Sequence, residues 1–186
     1  MTAYHNAVAE ARAQHEKAHV EIGIELNDSS LPEANRICKI DILVQDGQSS
    51  GAVVVTLNNW NQFEPVVDLS DGFEVELNPG KWDNLHFECN SDLSLTPGIA
   101  DWFYRWLDLD EKSGRPKDKY GIGQCVHTLW GPYSKGIESW IGVDFGSAPA
   151  EAALELLEIL REDGATRVRV GTFNDYLADA QEKQSN

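Results

Sequence analysis

The sequence predicts an α+β fold: one mostly antiparallel sheet, an N-terminal helix, a central aromatic-rich helix and a C-terminal βαβ unit. Three observations carry this. Apolar residues fall at every second position in several short stretches before residue 90, the period of half-buried strands. Two later stretches carry apolar residues at helical spacing. The last third reads strand, helix, strand with short links, which makes a crossover unit whose two strands run parallel.

The first element is a helix over residues 3–19, with Thr2 as N-cap and a thin apolar face of Ala7, Val8, Ala11 and Ala18. Val20, Ile22, Ile24 and Leu26 then alternate with Glu21, Gly23 and Glu25, a strand with one apolar face. Residues 28–35 carry Ser-Ser-Leu-Pro and read as a loop. Residues 36–44 form a second strand, and Asp46-Gly47 turns the chain into a third at residues 52–57. Residues 58–72 read as a long connection with a short extended piece at Val66 and Val67. Phe73, Val75 and Leu77 alternate with Glu74 and Glu76, and Asn78-Pro79-Gly80 predicts a hairpin to Leu85–Cys89.

Thr96-Pro97-Gly98 introduces a helix over 99–109, where Ile99, Trp102, Phe103 and Trp106 make a heavy aromatic stripe. Residues 111–123 read as a polar loop. Residues 124–130 read as a strand broken by Gly131-Pro132, and residues 139–145 as the next strand. Ser147 as N-cap and Pro149 in the first turn open a helix whose stripe is Ala153, Leu156, Leu157 and Leu160, stopped by Gly164. Residues 166–172 close the unit, with Val168 and Val170 inward and Arg167 and Arg169 outward. The chain therefore divides into an N-terminal helix (1–19) within the same domain, a single α+β body (20–173) and a frayed tail (174–186).

Charge narrows the function classes. The chain has 186 residues, with 31 acidic against 15 basic side chains, a formal charge of −16. Such a field repels phosphate backbones and anionic membranes and attracts basic proteins, so no direct nucleic-acid or membrane contact is expected. Solubility in salty surroundings is the competing explanation. Three cysteines, Cys38, Cys89 and Cys125, are too few for a disulfide framework and suit a reducing, cytoplasmic setting. The N-terminus reads as no secretory signal, and the longest aliphatic run, residues 52–55, is far short of a span.

Several residue groups qualify as sites. His15-Glu16-Lys17-Ala18-His19 resembles the zincin metalloprotease signature over five residues, which on a helix would set two imidazoles on one face with Glu16 beside them. It departs from that family in its charged Lys17, its polar helix, the strand pattern that starts at Val20 and the lack of a third ligand at a recognisable spacing. His86-x-x-Cys89 with Cys125-x-His127 offers four zinc-type ligands if the two segments are neighbours. Asp108-x-Asp110 with Ser113 and Gly114 has part of a calcium loop, but Lys112 and Lys119 occupy ligand positions. Lys112, Arg115, Lys117 and Lys119 gather basic charge before Gly121 and Gly123, and read either as an anion site or as a solvated loop. Asp144, Gly146 and Ser147 sit at a strand end before a helix, where ligands bind in α/β folds and where plain capping is also common. Trp60, Trp82 and Trp130 fall in loop-like surroundings suited to an interface, while Trp102 and Trp106 belong to the core by spacing.

The functional expectation is a non-enzymatic, acidic protein-binding module of inhibitor, immunity or regulatory type, docking on a basic partner through Glu21, Glu25, Glu74 and Glu76 on one sheet face. No cofactor is expected. The alternative is a small hydrolase-type enzyme with a site near Asp144 and Ser147 or at a His/Cys metal site.

Overall fold

A computed structural model describes residues 2–55, 66–91, 93, 96–135 and 138–173. Its four helices and nine strands form two mostly antiparallel sheets, an α+β architecture. The order is α1 (Thr2–Gln14), β1 (Lys17–Glu25), α2 (Glu33–Arg36), β2 (Ile37–Asp46), β3 (Ser49–Val53), β4 (Val66–Ser70), β5 (Phe73–Leu77), β6 (Leu85–Cys89), α3 (Pro97–Leu107), β7 (Thr128–Lys135), β8 (Glu138–Asp144), α4 (Ala150–Glu162) and β9 (Arg167–Gly171).

The first sheet is the antiparallel meander β1-β2-β3. Helix α1 covers it with Tyr4, Val8 and Ala11, spaced four and three apart, which meet Val20, Ile42, Val44 and Val55 in one core. The helix ends at Gln14, earlier than its composition predicts. Asp46 captures the two residues beyond that end: its carboxylate takes His15 Nδ1 at 2.6 Å and the Glu16 amide at 3.0 Å, and the Glu16 carboxylate accepts the Gly47 amide at 3.0 Å. The chain is thereby turned into β1 at Lys17. His15 therefore lies in the bend after α1 and His19 on β1, and the five-residue zincin pattern forms no helical ligand pair. The N-terminal helix spans less than residues 1–19, since Lys17 to His19 belong to β1.

The second sheet has the order β4-β5-β9-β6-β8-β7. The expected β5–β6 hairpin does not form. Strand β9 runs between the two, parallel to β5 and antiparallel to β6. The charges are compatible with this order. Arg167 reaches Glu74 at 2.9 Å and Glu76 at 3.0 Å, and Arg169 reaches Glu88 at 2.8 Å, so β9 carries cations into the gap between two acidic strands. Strands β8 and β9 are both antiparallel to β6. The β8–α4–β9 crossover is thus parallel in direction, as its pattern predicts, but spans one intervening strand. Gly131-Pro132 does not end β7: the peptide is cis, the register shifts between Trp130 and Tyr133, and pairing resumes to Lys135.

Helices α3 and α4 cover one face of this sheet. Ile99, Trp102, Phe103 and Trp106 are buried, as their spacing predicts. The Trp102 indole donates to Ala152 O at 3.0 Å, and the Trp106 indole to Glu155 Oε2 at 2.8 Å, which tie α3 to α4. Thr96 caps α3, accepting the Ile99 amide at 3.3 Å. Residues 124–127 are not strand but an irregular connection between the sheets. The Val126 amide donates to Trp106 O at 3.1 Å and the His127 amide to Asp144 O at 2.8 Å, while the Lys39 amide of β2 donates to His127 O at 2.9 Å. The tail beyond residue 173 lies outside the described residues.

Candidate functional site

The two sheets meet at a buried cluster of polar side chains. Glu21 of β1 and Asp41 of β2 occupy opposite positions, between the paired residues Val20 with Ile42 and Ile22 with Ile40. Opposed carboxylates repel, and more so when buried. His127 enters between them from the connection to the second sheet. Its Nε2 lies 3.3 Å from Glu21 Oε1 and its Nδ1 lies 2.8 Å from Asp41 Oδ1, the latter close but off hydrogen-bond geometry. Further bonds hold each acid. Asp41 accepts the Tyr4 hydroxyl at 2.9 Å and the Val55 amide at 2.8 Å. Glu21 accepts the Gly123 amide at 2.5 Å and the Ser147 hydroxyl, whose own oxygen accepts the Cys125 amide at 3.1 Å. The exposures are 1 % for His127 and 7 % for Glu21.

Electrostatics follow from this packing. Burial opposes charge on His127, but contacts with Asp41, Cys125 and Glu21 outweigh it and hold the imidazole protonated well above its usual range. Burial likewise opposes charge on Glu21 and Asp41, yet the contact with His127 foremost, and hydrogen bonds from neighbouring groups after it, keep both below the ordinary carboxylate range. Asp144 lies on the edge of the cluster. Burial pushes its carboxyl up to about 6, although His127 and the Gly146 amide pull the other way.

Glu21 reaches this cluster against the strand pattern. Alternation puts it on the outward face with Glu25, but its φ of +52° turns the backbone into the left-handed region. The four glutamates expected on one face are therefore divided. Glu21 is buried between the sheets, Glu25 is exposed on β1, and Glu74 and Glu76 lie on the other sheet, paired to Arg167 and Arg169.

The other sequence candidates separate too. His86 and Cys89 stand at odd spacing on β6. His86 accepts the Phe173 amide at 3.2 Å and meets the Trp140 ring edge-on. Cys89 sits in the main core, where burial pushes its thiol up to about 12. Neither joins Cys125 and His127. Cys125 and His127 instead find Glu21, and the donor atoms of these three lie within 4.8 Å of one another, the single such grouping among the described residues. Ser147 does not cap α4, which starts after Pro149 with no side-chain cap. Asp108 caps its own loop, accepting from Ser113, and Arg115 stacks on Trp106. Trp82 is half-buried, stacked on Phe145 with its indole donating to Ala148 O at 3.1 Å; Trp130 packs over Gly142. Trp60 lies outside the described residues.

A second feature has no strong sequence signal. Between α4 and the β4–β5 end of the sheet lies an open groove of about 840 Å³. Phe73, Val75, Leu77, Leu154 and Leu157 supply its apolar walls. Leu154 is 59 % exposed, and on the edge strand β4 Leu69 is 68 % exposed. Asp68, Glu151, Glu155, Glu158 and Glu162 stand around the groove against two cations, Arg105 and Arg161. Those cations pair with Glu155 and Glu158. The exposed Leu154 breaks the amphipathic pattern of α4, and it alone hints at the groove in the sequence. Among the described residues no helix is long and apolar enough to cross a membrane.

The chain matches no protein-family model, no curated protein and no solved structure.

Proposed function

We propose that this protein is an acidic binding module that docks on a basic protein partner, and that the groove between α4 and β5 receives a partner segment carrying both apolar and basic side chains. The observation that carries the reading is the composition of that groove. Its walls are apolar and its surrounding charge is three negative in excess, five carboxylates against two guanidinium groups. Apolar area favours association, and the surrounding carboxylates steer a cationic segment and reject anionic ones. The surface differs from the sheet face expected from the glutamate pattern, while the partner chemistry is the same. The serine form of the hydrolase alternative draws little support, because Ser147 is buried and its hydroxyl is committed to Glu21 rather than to a histidine.

The test uses the whole chain as bait against native lysate at low salt and again at 0.5 M salt, roughly where the Debye length falls toward 4 Å. A partner of high isoelectric point should be retained at low salt and weakened at least tenfold at high salt. Leu154→Asp and the double change Glu151→Lys with Glu162→Lys should each abolish retention without altering the fold. A partner retained equally by these variants would refute the groove, and an acidic partner would refute the charge argument.

A further inference from the structure

Independently of that groove, we propose that Glu21, Cys125 and His127 form a binding site for a divalent transition-metal ion of the zinc type. Carboxylate oxygen, imidazole nitrogen and thiolate sulfur are all zinc ligands, and the cysteine and histidine favour such an ion over calcium or magnesium. The expectation of no cofactor is replaced by this proposal.

The spacing admits an ion in place of the direct hydrogen bond. The 3.3 Å from His127 Nε2 to Glu21 Oε1 is long for a charge-assisted hydrogen bond. It matches the span of about 3.3 Å between nitrogen and oxygen when both bind a tetrahedral ion at about 2.0 Å. All three donor atoms fall within 4.8 Å of one another.

Each ligand also has the outer partner that metal ligands need. Asp41 Oδ1 stands 2.8 Å from His127 Nδ1, close but off hydrogen-bond geometry, on the side of the ring away from the ligand nitrogen. Tyr4 and the Val55 amide orient that aspartate. Glu21 is held by the Ser147 hydroxyl and the Gly123 amide. Cys125 Sγ accepts from Lys39 Nζ at 3.4 Å. Gly146 leaves the ring its room: a Cβ there would stand 2.4 Å from His127 Nε2. The left-handed φ of Glu21 is a backbone cost that β1 itself does not require, and it turns the carboxylate toward the other two ligands.

Coordination is balanced in charge. The ion brings two positive charges, and two protons leave to solvent, one from His127 Nε2 and one from the Cys125 thiol.

The test is direct. The full chain is purified, stripped with chelator, and titrated with Co²⁺ and with Zn²⁺. One equivalent of Co²⁺ should give a thiolate-to-cobalt charge-transfer band with tetrahedral visible bands, and Zn²⁺ should displace it. Zn²⁺ at about 100 times its dissociation constant should raise the melting midpoint by roughly 5–10 °C. Cys125→Ser, nearly isosteric, should lose the charge-transfer band, and His127→Asn should weaken binding at least a hundredfold. If His127→Asn does not fold, Cys125→Ser and the wild-type measurements decide alone. Wild type with no charge-transfer band and no change in melting midpoint would overturn the proposal. So would a band of equal strength in Cys125→Ser.

Discussion

Two regions of this protein solve the same problem in opposite surroundings. At the sheet interface, Glu21 and Asp41 face each other across β1 and β2, and His127 enters from another element to offset them. On the open face of the second sheet, Glu74, Glu76 and Glu88 flank β9, and Arg167 and Arg169 offset them. The first set is almost fully buried, whereas the arginine side chains of the second are 49 % and 36 % exposed. Water reaches the Arg167 end of the ladder and screens repulsion there, whereas Glu88 at the Arg169 end is 8 % exposed. No water does so around Glu21 and Asp41, so removal of the cation there leaves two buried charges unmatched. The comparison teaches that ion-pair distance is a poor guide to importance, and that burial sets the weight.

The largest break should come from His127→Ala, which strands both acids. Destabilisation of about 3–5 kcal/mol is expected in urea unfolding of chelator-treated protein, with little change in added salt. A cost under about 1 kcal/mol would mean the cluster behaves like the Arg167 end of the ladder.

Next in size is Gly146→Ala. Its φ is +49° and the new Cβ would stand 2.3 Å from His127 Cδ2, so strain and displacement of the ring together should cost about 2–3 kcal/mol in thermal or urea melts.

Arg167→Ala should cost less than about 1 kcal/mol, and its difference from wild type should vanish in 0.5 M salt, whereas Arg169→Ala should cost more, because its partner Glu88 is 8 % exposed. A larger, salt-insensitive loss in Arg167→Ala would show that β9 depends on that arginine to hold its place between β5 and β6.

The smallest effect is acid sensitivity of the ladder. The Asn78 amide, then Arg167 and Arg169, hold Glu76 below its usual 4.5. A depressed carboxylate contributes stability that is present above its unfolded pKa and lost as pH falls through its folded one. Wild type should therefore lose slightly more stability than Glu76→Gln between pH 5 and pH 3. Parallel curves would remove Glu76 from the ladder's account.

How much of this was legible before folding differs by residue. The stripe of Ile99, Trp102, Phe103 and Trp106 is a local periodicity that survives in the structure, whereas on β5 only Phe73 of the three alternating apolar residues is buried and Leu77 is 39 % exposed. Cys125 and His127 stand out as ligand types, yet the partners expected for them, His86 and Cys89, lie elsewhere, and Glu21 takes their place. Nothing near Glu21 in the chain signals its burial, since the alternation assigns it to solvent. The end of α1 was hidden for a similar reason: Asp46, thirty residues on, captures His15 and Glu16.

By itself the sequence determined the kind of element at most positions, the two amphipathic helices and the acidic balance. Those depend on side-chain spacing along a few turns or a few pleats. Tertiary structure alone decided that β9 enters between β5 and β6, that the glutamates divide between two sheets, and that Glu21 turns inward to His127. Each depends on charges distant along the chain finding opposite charges in space, and that pairing has no period for a local pattern to record.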